Sequence, residues 1–278
     1  MTEDDVVGPW SEDKLLLLGK YLEAYTTIMK GQPWCRNGYH YIDAFAGTGR
    51  ARAHDEERYI DGSPRVALKV SHPFQSYTFI EIAPRRVARL QDLVGEFPDR
   101  DIRIREGDCN QIITREVTPS IRFKLYNRGL IFLDPFGMDI EWSTMEKIAE
   151  TRALEVFLNF PVMALNRTVL QNDPNALTEE QIARMNAFWG CPDWRDDVYG
   201  DVPTLWGPRK MKTRRTTGRR LGGLFKKRLR EVFQYVTEPL VMTNSRNAPL
   251  YCLFLAGPNR RGAEIVQEIF QRYKRLGG

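Results

Sequence analysis

The chain has no close pair of cysteines, no cluster of histidines and no long apolar run. Its four cysteines, Cys35, Cys109, Cys191 and Cys252, include no Cys-x-x-Cys pair, and His40, His54 and His72 are equally dispersed. Neither a disulfide framework nor a zinc site is expected, and the thiols read as reduced and mostly structural. The longest apolar stretches, such as residues 129–133 and 156–160, fall far short of the roughly 20 residues of a membrane helix. The first residues, Met-Thr-Glu-Asp-Asp, are acidic where a secretory signal is basic and then greasy, so a soluble cytoplasmic protein is expected. No internal repeat or low-complexity tract is present. With 278 residues, 42% of them hydrophobic, there is enough chain for one sizeable core.

Acidic residues are missing from one stretch. Between residues 209 and 230 there are eleven Lys or Arg and no Asp or Glu, so the +5 net charge of the chain is a local property. Uncompensated cations repel one another, and phosphates relieve this by counterion release, which makes Arg209, Lys210, Lys212, Arg214, Arg215, Arg219, Arg220, Lys226 and Lys227 candidate nucleic-acid contacts. A solvated loop is the alternative. Trp189, Trp194 and Trp206 precede the run and offer either stacking faces for bases or a small core of their own.

The first 160 residues alternate between helical and strand patterns. A helix is expected from Glu12, capped by Ser11, with Leu15, Leu18, Leu22, Tyr25 and Ile28 on one face. Strands are expected at residues 39–43, 77–81, 102–104, 129–133 and 154–159, with helices at 64–70 (capped by Ser63), 84–97 and 141–150. Residues 50–61 read as a polar segment beside a pocket. Residues 162–230 read as a helical, basic insertion, and two late strands and a helix from about residue 262 complete the chain. The expected division is an N-terminal helical segment (1–34), a cofactor-binding core (35–161), the insertion (162–230) and a C-terminal completion of the core (231–278). Such alternation implies an α/β fold with a mostly parallel central sheet and helices on both faces.

In these sheets, ligands bind outside the carboxyl ends of the strands, where the strand order reverses. Asp43, Glu81, Asp108 and Asp134 fall at or just beyond successive strand ends, and Gly47 and Gly49 follow the first of them. Glycines there allow the backbone to approach a ligand. A nicotinamide site is disfavoured. It wants Gly-x-Gly-x-x-Gly with an acid about 20 residues on, whereas Glu81 follows Asp43 by 38.

The Asp-x-Phe-Ala-Gly-x-Gly loop, the Glu ending the second strand, Asp108-Cys109 and Asp134-Pro135-Phe136-Gly137 resemble the ordered motifs of Rossmann-like, class I methyltransferases that use S-adenosylmethionine. More closely, the Tyr-Ile-Asp-Ala-Phe-Ala-Gly-Thr-Gly loop, Gly-Ser-Pro, Phe-Ile-Glu, Leu-Asp-Pro-Phe-Gly and Asn-Phe-Pro with Asn166-Arg167 resemble the three-Cys-motif partner proteins. The resemblance spans most of the chain and is weakest in the insertion. It implies S-adenosylmethionine as cofactor and, from the family's name, a partner protein with a three-Cys motif.

On that resemblance, Gly47, Gly49 and Phe45 form the loop at the methionine end of the cofactor, and Asp43 attracts its ammonium group. Glu81 accepts from the ribose hydroxyls, and Asp108, beside Cys109, accepts from the adenine amine. Asp134, Pro135 and Phe136 are the candidate catalytic residues. Amino-group methyltransferases acting on adenine carry Asp or Asn, two prolines and an aromatic at that place. Here Phe136 stands for the second proline and Gly137 for the aromatic, which leaves Asp134 as acceptor for an amine and Phe136 as a stacking face or a core residue. Asn159, Phe160 and Pro161 form a second candidate wall.

Three functions are compatible with these residues. The first is methyl transfer to a DNA or RNA base amine. The second is a nucleic-acid-binding partner subunit that works with a separate enzyme in repair, modification or phage defence and does not turn over. The third is methylation of a small molecule or protein, which requires the basic run to be decoration.

Overall fold

The computed structural model describes residues 5–53, 58–205, 207–213 and 217–276. His54, Trp206, Arg214 and Arg215 lie outside the described residues. The described chain enters through strand β1 (Asp5–Val7), helix α1 (Pro9–Lys30) and β2 (Tyr39–Asp43), followed by the antiparallel pair β3 (Arg50–Ala53) and β4 (Tyr59–Asp61). Helix α2 (Ser63–Leu68), β5 (Ser76–Glu81), α3 (Pro84–Glu96) and β6 (Ile102–Glu106) come next. Short helices α4 (Cys109–Ile112) and α5 (Thr118–Ser120) lead to β7 (Arg128–Leu133), α6 (Trp142–Glu150) and β8 (Leu154–Phe160). Then follow α7 (Val162–Thr168), α8 (Glu179–Trp189), α9 (Trp194–Val198), the antiparallel pair β9 (Tyr199–Thr204) and β10 (Gly207–Lys212), and α10 (Gly218–Val232). Strands β11 (Tyr235–Val236), β12 (Leu240–Thr243) and β13 (Pro249–Gly257) and helix α11 (Arg260–Arg275) complete it.

The main sheet runs β6-β5-β2-β7-β8-β13, with β11 and β12 sharing the outer edge of β13. The five strands from β6 to β8 are parallel, and β13 is reversed. Successive strands step outward from β2 to β6, then the chain crosses back to lay β7 and β8 on the other side. The order therefore reverses at β2 and β7. Asp43 is in register with Phe132, two residues before Asp134, so both acids reach the same edge.

Strand β8 is buried along its whole length, and β7 along all but its first residue, as strands covered on both faces must be. One face is covered by α1 and α11, through Leu18, Tyr21, Leu22, Val266 and Phe270. The other is covered by α6, α8 and α10, through Ile148, Trp189 and Phe225. Phe225 stacks on Phe160 with ring centroids 4.4 Å apart and on Phe188 at 5.5 Å. Phe225→Ala is expected to cost about 3–5 kcal/mol in a denaturant titration, because the lost contacts leave a cavity between three layers. A loss below about 1 kcal/mol would mean that α10 is not part of the cooperative core.

Several local expectations need correction. Helix α1 starts at Pro9 with Gly8 as its cap, not at Ser11, since proline is pre-organised for the first helical position. Ser63 likewise lies inside α2 and Gly62 caps it. The described residues of the polar segment 50–61 form β3 and β4, which pair, with β1 added in parallel to β3, and Arg50 and Ala51 line the cleft described below. The segment expected as a helical, basic insertion also contains the β9–β10 pair. Trp189 and Trp194 are not stacking faces: both are fully buried in the cluster that also holds Leu158 and Phe160.

Candidate functional site

At the carboxyl edge of the parallel strands lies a cleft of about 870 Å³, within the range of small-molecule sites. The loop after β2, the ends of β5, β6, β7 and β8, and the first turns of α1 line it. Glu81, Asp108 and Asp134 all face it, with Phe45, Gly47, Gly49, Cys109, Pro135 and Phe136. The candidate cofactor and catalytic residues are thus brought together, apart from Asp43.

Asp43 is fully buried behind the cleft. It accepts from the Phe45 amide at 3.3 Å and from the Tyr41 hydroxyl at 3.3 Å, and Ser63 bonds to it as well. Its place is to hold the start of the glycine loop from beneath, through the Phe45 amide. Burial pushes its carboxyl up to about 7, against the hydrogen bonds of Ser63 and Phe45. Glu155 on β8, which accepts from Tyr21, is raised by burial to about 7 as well.

Both groups ionise near 4 in an unfolded chain, so between about pH 4 and pH 7 the fold retains protons that the unfolded chain releases. Their contribution therefore turns unfavourable as pH rises through that window and levels off above it. The Asp43→Asn, Glu155→Gln double variant is expected to gain stability relative to the parent as pH rises from about 5 to 8, by urea denaturation. A constant difference would show that neither group is raised.

Glu81 sits at 6% exposure with both oxygens engaged: Oε2 accepts from the Gly47 amide at 3.0 Å and Oε1 from the Ala83 amide at 2.9 Å. A carboxylate has about four acceptor positions, so two remain beyond these amides, and the Arg86 guanidinium, 3.9 Å from Oε2, competes for them with donors in the cleft. Gly47 has φ 60° and Gly49 φ 75°, the left-handed region that favours glycine. A Cβ on Gly49 would stand 3.0 Å from Leu93 Cδ1, so this glycine lets the loop pack on α3. Close approach of the ligand is not its only role. Asp108 caps α4, its Oδ1 accepting from the Gln111 amide at 2.9 Å, which leaves Oδ2 for the cleft. Burial drives the Cys109 thiol up to about 12, so it is a neutral wall rather than a nucleophile. Ile82, next to Glu81, is 67% exposed along the rim.

Asp134 is likewise held through both oxygens. Lys14 of α1 pairs with its Oδ2, and Asn159 Nδ2 donates to its Oδ1 at 2.6 Å. That bond turns the Asn159 Oδ1 away from Asp134, buried and without a donor. Phe136 is 73% exposed and is not a core residue; the Arg86 guanidinium lies 5.8 Å from its ring centroid. Of the second candidate wall, Asn159 and Pro161 line the cleft, whereas Phe160 is fully buried in the core.

Sequence reasoning missed Lys14, Tyr251 and Arg184, which also line the cleft. Lys14 did carry a signal: it stands four residues before Leu18, a cation on the apolar stripe of α1. Tyr251 donates its hydroxyl to the Trp10 carbonyl and so ties the start of α1 to β13. Neither Tyr251 nor Arg184 had a signal.

The basic run is dispersed by the fold. Lys212 turns inward to Asn166 Oδ1 at 2.6 Å and the Leu170 carbonyl at 2.9 Å, and burial lowers its pKa. Lys226 pairs with Glu238, Lys210 approaches Asp196 at 3.6 Å, and Arg220 donates to the Asp197 carbonyl at 3.3 Å. Arg209, Arg219 and Lys227 are exposed. Acids from outside the run compensate much of it, which weakens the argument from uncompensated charge.

The strand order, with one reversed strand beside the last parallel one, defines a Rossmann-like α/β fold of the class I methyltransferase type. No protein-family model matches the chain, and no curated protein matches it. Among solved structures, protein LPL1258 from Legionella pneumophila, assigned to DUF519, covers 97% of this chain and 94% of its own at 14% identity, with a TM-score of 0.52. Two others are more distant. The putative methyltransferase yhhF from Escherichia coli covers 45% of this chain and 60% of its own at 15% identity and TM-score 0.31. The N-terminal domain of EvdMO1, solved in the presence of SAH and D-fucose, covers 87% and 82% at 9% identity and TM-score 0.41. At 14% identity the likeness to LPL1258 is one of fold. Among the described residues, no helix is long and apolar enough to cross a membrane.

Proposed function

We propose that the protein is an S-adenosylmethionine-dependent methyltransferase acting on a base amine of DNA or RNA. The observation that carries this reading is the arrangement of Glu81, Asp108 and Asp134 around one cleft at the switch in strand order, with Glu81 anchoring the Gly47 turn and keeping acceptor positions for a diol. The donor set fits the cofactor: a carboxylate for two hydroxyls, a second carboxylate oxygen on Asp108 for an amine, and an apolar rim at Ile82. When bound, S-adenosylmethionine supplies an electrophilic methyl group on a sulfonium centre.

The residues of this chain then have separable tasks. Glu81 and Asp108 bind and orient. Asp134, placed by Asn159 and Lys14, accepts a hydrogen bond from the attacking amine and holds it in line, a contribution that rests on positioning. Phe136, exposed at the mouth beside Arg86, offers a face to an extruded base. Membership of the three-Cys-motif partner family, with a partner protein, rests on the sequence motifs. The test is transfer of labelled methyl groups to a panel of single-stranded and duplex DNA and RNA, with free nucleosides and a bulk protein mixture as the other substrates. Label in nucleic acid alone supports the reading; label only in protein or small molecules removes the nucleic-acid part of it.

A second reading is favoured by one observation. Each oxygen of Asp134 already accepts one bond, from Lys14 and from Asn159, so an attacking amine would have to share it, as suits a partner subunit that binds nucleic acid and does not turn over.

A further inference from the structure

The amino edge of the sheet, across from the cleft, carries a second surface. The loop before β2 contributes Trp34 and Arg36, and the segment before β7 contributes Phe123, Leu125 and Tyr126. Trp34 is 42% exposed, Phe123 56% and Tyr126 55%, a concentration of aromatic area that folding leaves in water. The side chains are knit together. The Arg128 guanidinium lies 4.5 Å from the Trp34 ring centroid and 4.2 Å from that of Phe123, and Arg36 lies 5.6 Å from Tyr126. Asn37 bridges the two segments, its amide donating to the Tyr126 carbonyl at 3.1 Å and its side chain to the Leu125 carbonyl at 2.8 Å.

Beside Phe123 is a hollow of about 640 Å³ whose wall includes Arg152 and Arg230. Its Glu231 is paired with Arg228. No Asp or Glu occurs from Lys30 to Ile42 or from Ile121 to Leu133, so the exposed Arg36, Arg122 and Lys124 have no acid in their own segments, and Glu150 and Glu231, the acids next in sequence to Arg152 and Arg230, pair with Lys147 and Arg228. Tyr126 and Arg152 have φ of 54° and 52°, a left-handed backbone that costs a residue with a Cβ roughly 1 kcal/mol or more and is held where side-chain placement matters. Strand β7, six residues or roughly 20 Å long, separates this surface from Asp134.

We infer that this edge binds single-stranded nucleic acid, with arginines taking phosphates and the exposed faces of Phe123, Trp34 and Tyr126 taking unpaired bases. Planar rings interleaved with guanidinium groups suit unstacked bases, whereas an acidic peptide needs the cations and gains little from several flat faces. The inference rests on the proposed function for its ligand class, and its geometry is independent of the cleft. A substrate strand is then held at two places on one protein, at the cleft and across the sheet.

The test uses the full chain and a fluorescein-labelled single-stranded RNA of about 20 nucleotides, with DNA of the same sequence, followed by anisotropy across a range of salt. Phe123→Ala is expected to weaken binding about tenfold, and Phe123→Trp to retain it. The triple variant Arg36→Glu, Arg152→Glu, Arg230→Glu is expected to weaken it at least a hundredfold and to lower the slope of log affinity against log salt by about two. Thermal melting and the heat of S-adenosylmethionine binding should stay as in the parent for all three. Parent-like affinity in Phe123→Ala and the triple variant would overturn the inference. So would displacement of the strand by polyglutamate with no effect of Phe123→Ala, which would assign the edge to an acidic protein. Loss of strand binding in the variants, in a protein that never binds S-adenosylmethionine, would support this surface while removing the methyltransferase reading.

Discussion

Glu81→Ala is expected to weaken S-adenosylmethionine binding by at least about a hundredfold, enough to abolish a calorimetric signal at ordinary concentrations. Two losses combine. The carboxylate is the acceptor for the Gly47 amide at 3.0 Å and the Ala83 amide at 2.9 Å, so its removal leaves two backbone donors at the cleft wall without a partner and lets the glycine turn relax. The cleft also loses the acceptor for a pair of hydroxyls, each such charged bond being worth about 1.5–3 kcal/mol. Glu81→Gln keeps one carbonyl oxygen and should fall between the two. Undiminished affinity in Glu81→Ala would move the ligand to another part of the cleft.

The second large effect belongs to Asp134. Asp134→Asn is nearly isosteric and is expected to lower methyl transfer by about a thousandfold while leaving S-adenosylmethionine affinity within about threefold of the parent. The amide cannot serve both Lys14 and Asn159 as the carboxylate does, so the acceptor presented to the attacking amine is lost or turned. The Lys14 ammonium, with its side chain 11% exposed, would then lack its counter-charge, and some loss of stability is expected with it. Single-turnover kinetics separate chemistry from binding. If cofactor affinity fell as far as turnover, Asp134 would be a binding residue; if neither changed, the partner-subunit reading would gain.

The central sheet was legible because its strands carry their own signals. The apolar runs ending in Asp43, Glu81 and Asp134 read as strands, the last as one buried on both faces, and their acids lie at the carboxyl edge of the sheet. The β3–β4 and β9–β10 pairs were not legible. Arg50-Ala-Arg-Ala alternates charge with a small side chain, and β9 contains Gly200 and Pro203, so neither advertises a buried face. The charge balance of the basic run was not legible for a different reason. The acids that meet Lys210 and Lys226 are Asp196 and Glu238, outside the basic run, and only the fold brings them together. Asp43 shows the same limit from inside the site: its position in the chain was right, and its burial beneath the loop, out of contact with the cleft, came from the packing of α2 and Ser63.

Calorimetric titration of the purified protein with S-adenosylmethionine, repeated with the demethylated product, tests the central claim most directly. The account predicts saturable one-to-one binding of both, with micromolar or tighter affinity. Absence of heat for either ligand at millimolar concentration, from a protein that melts cooperatively, would contradict it and leave a methyltransferase-like scaffold whose cleft serves another ligand.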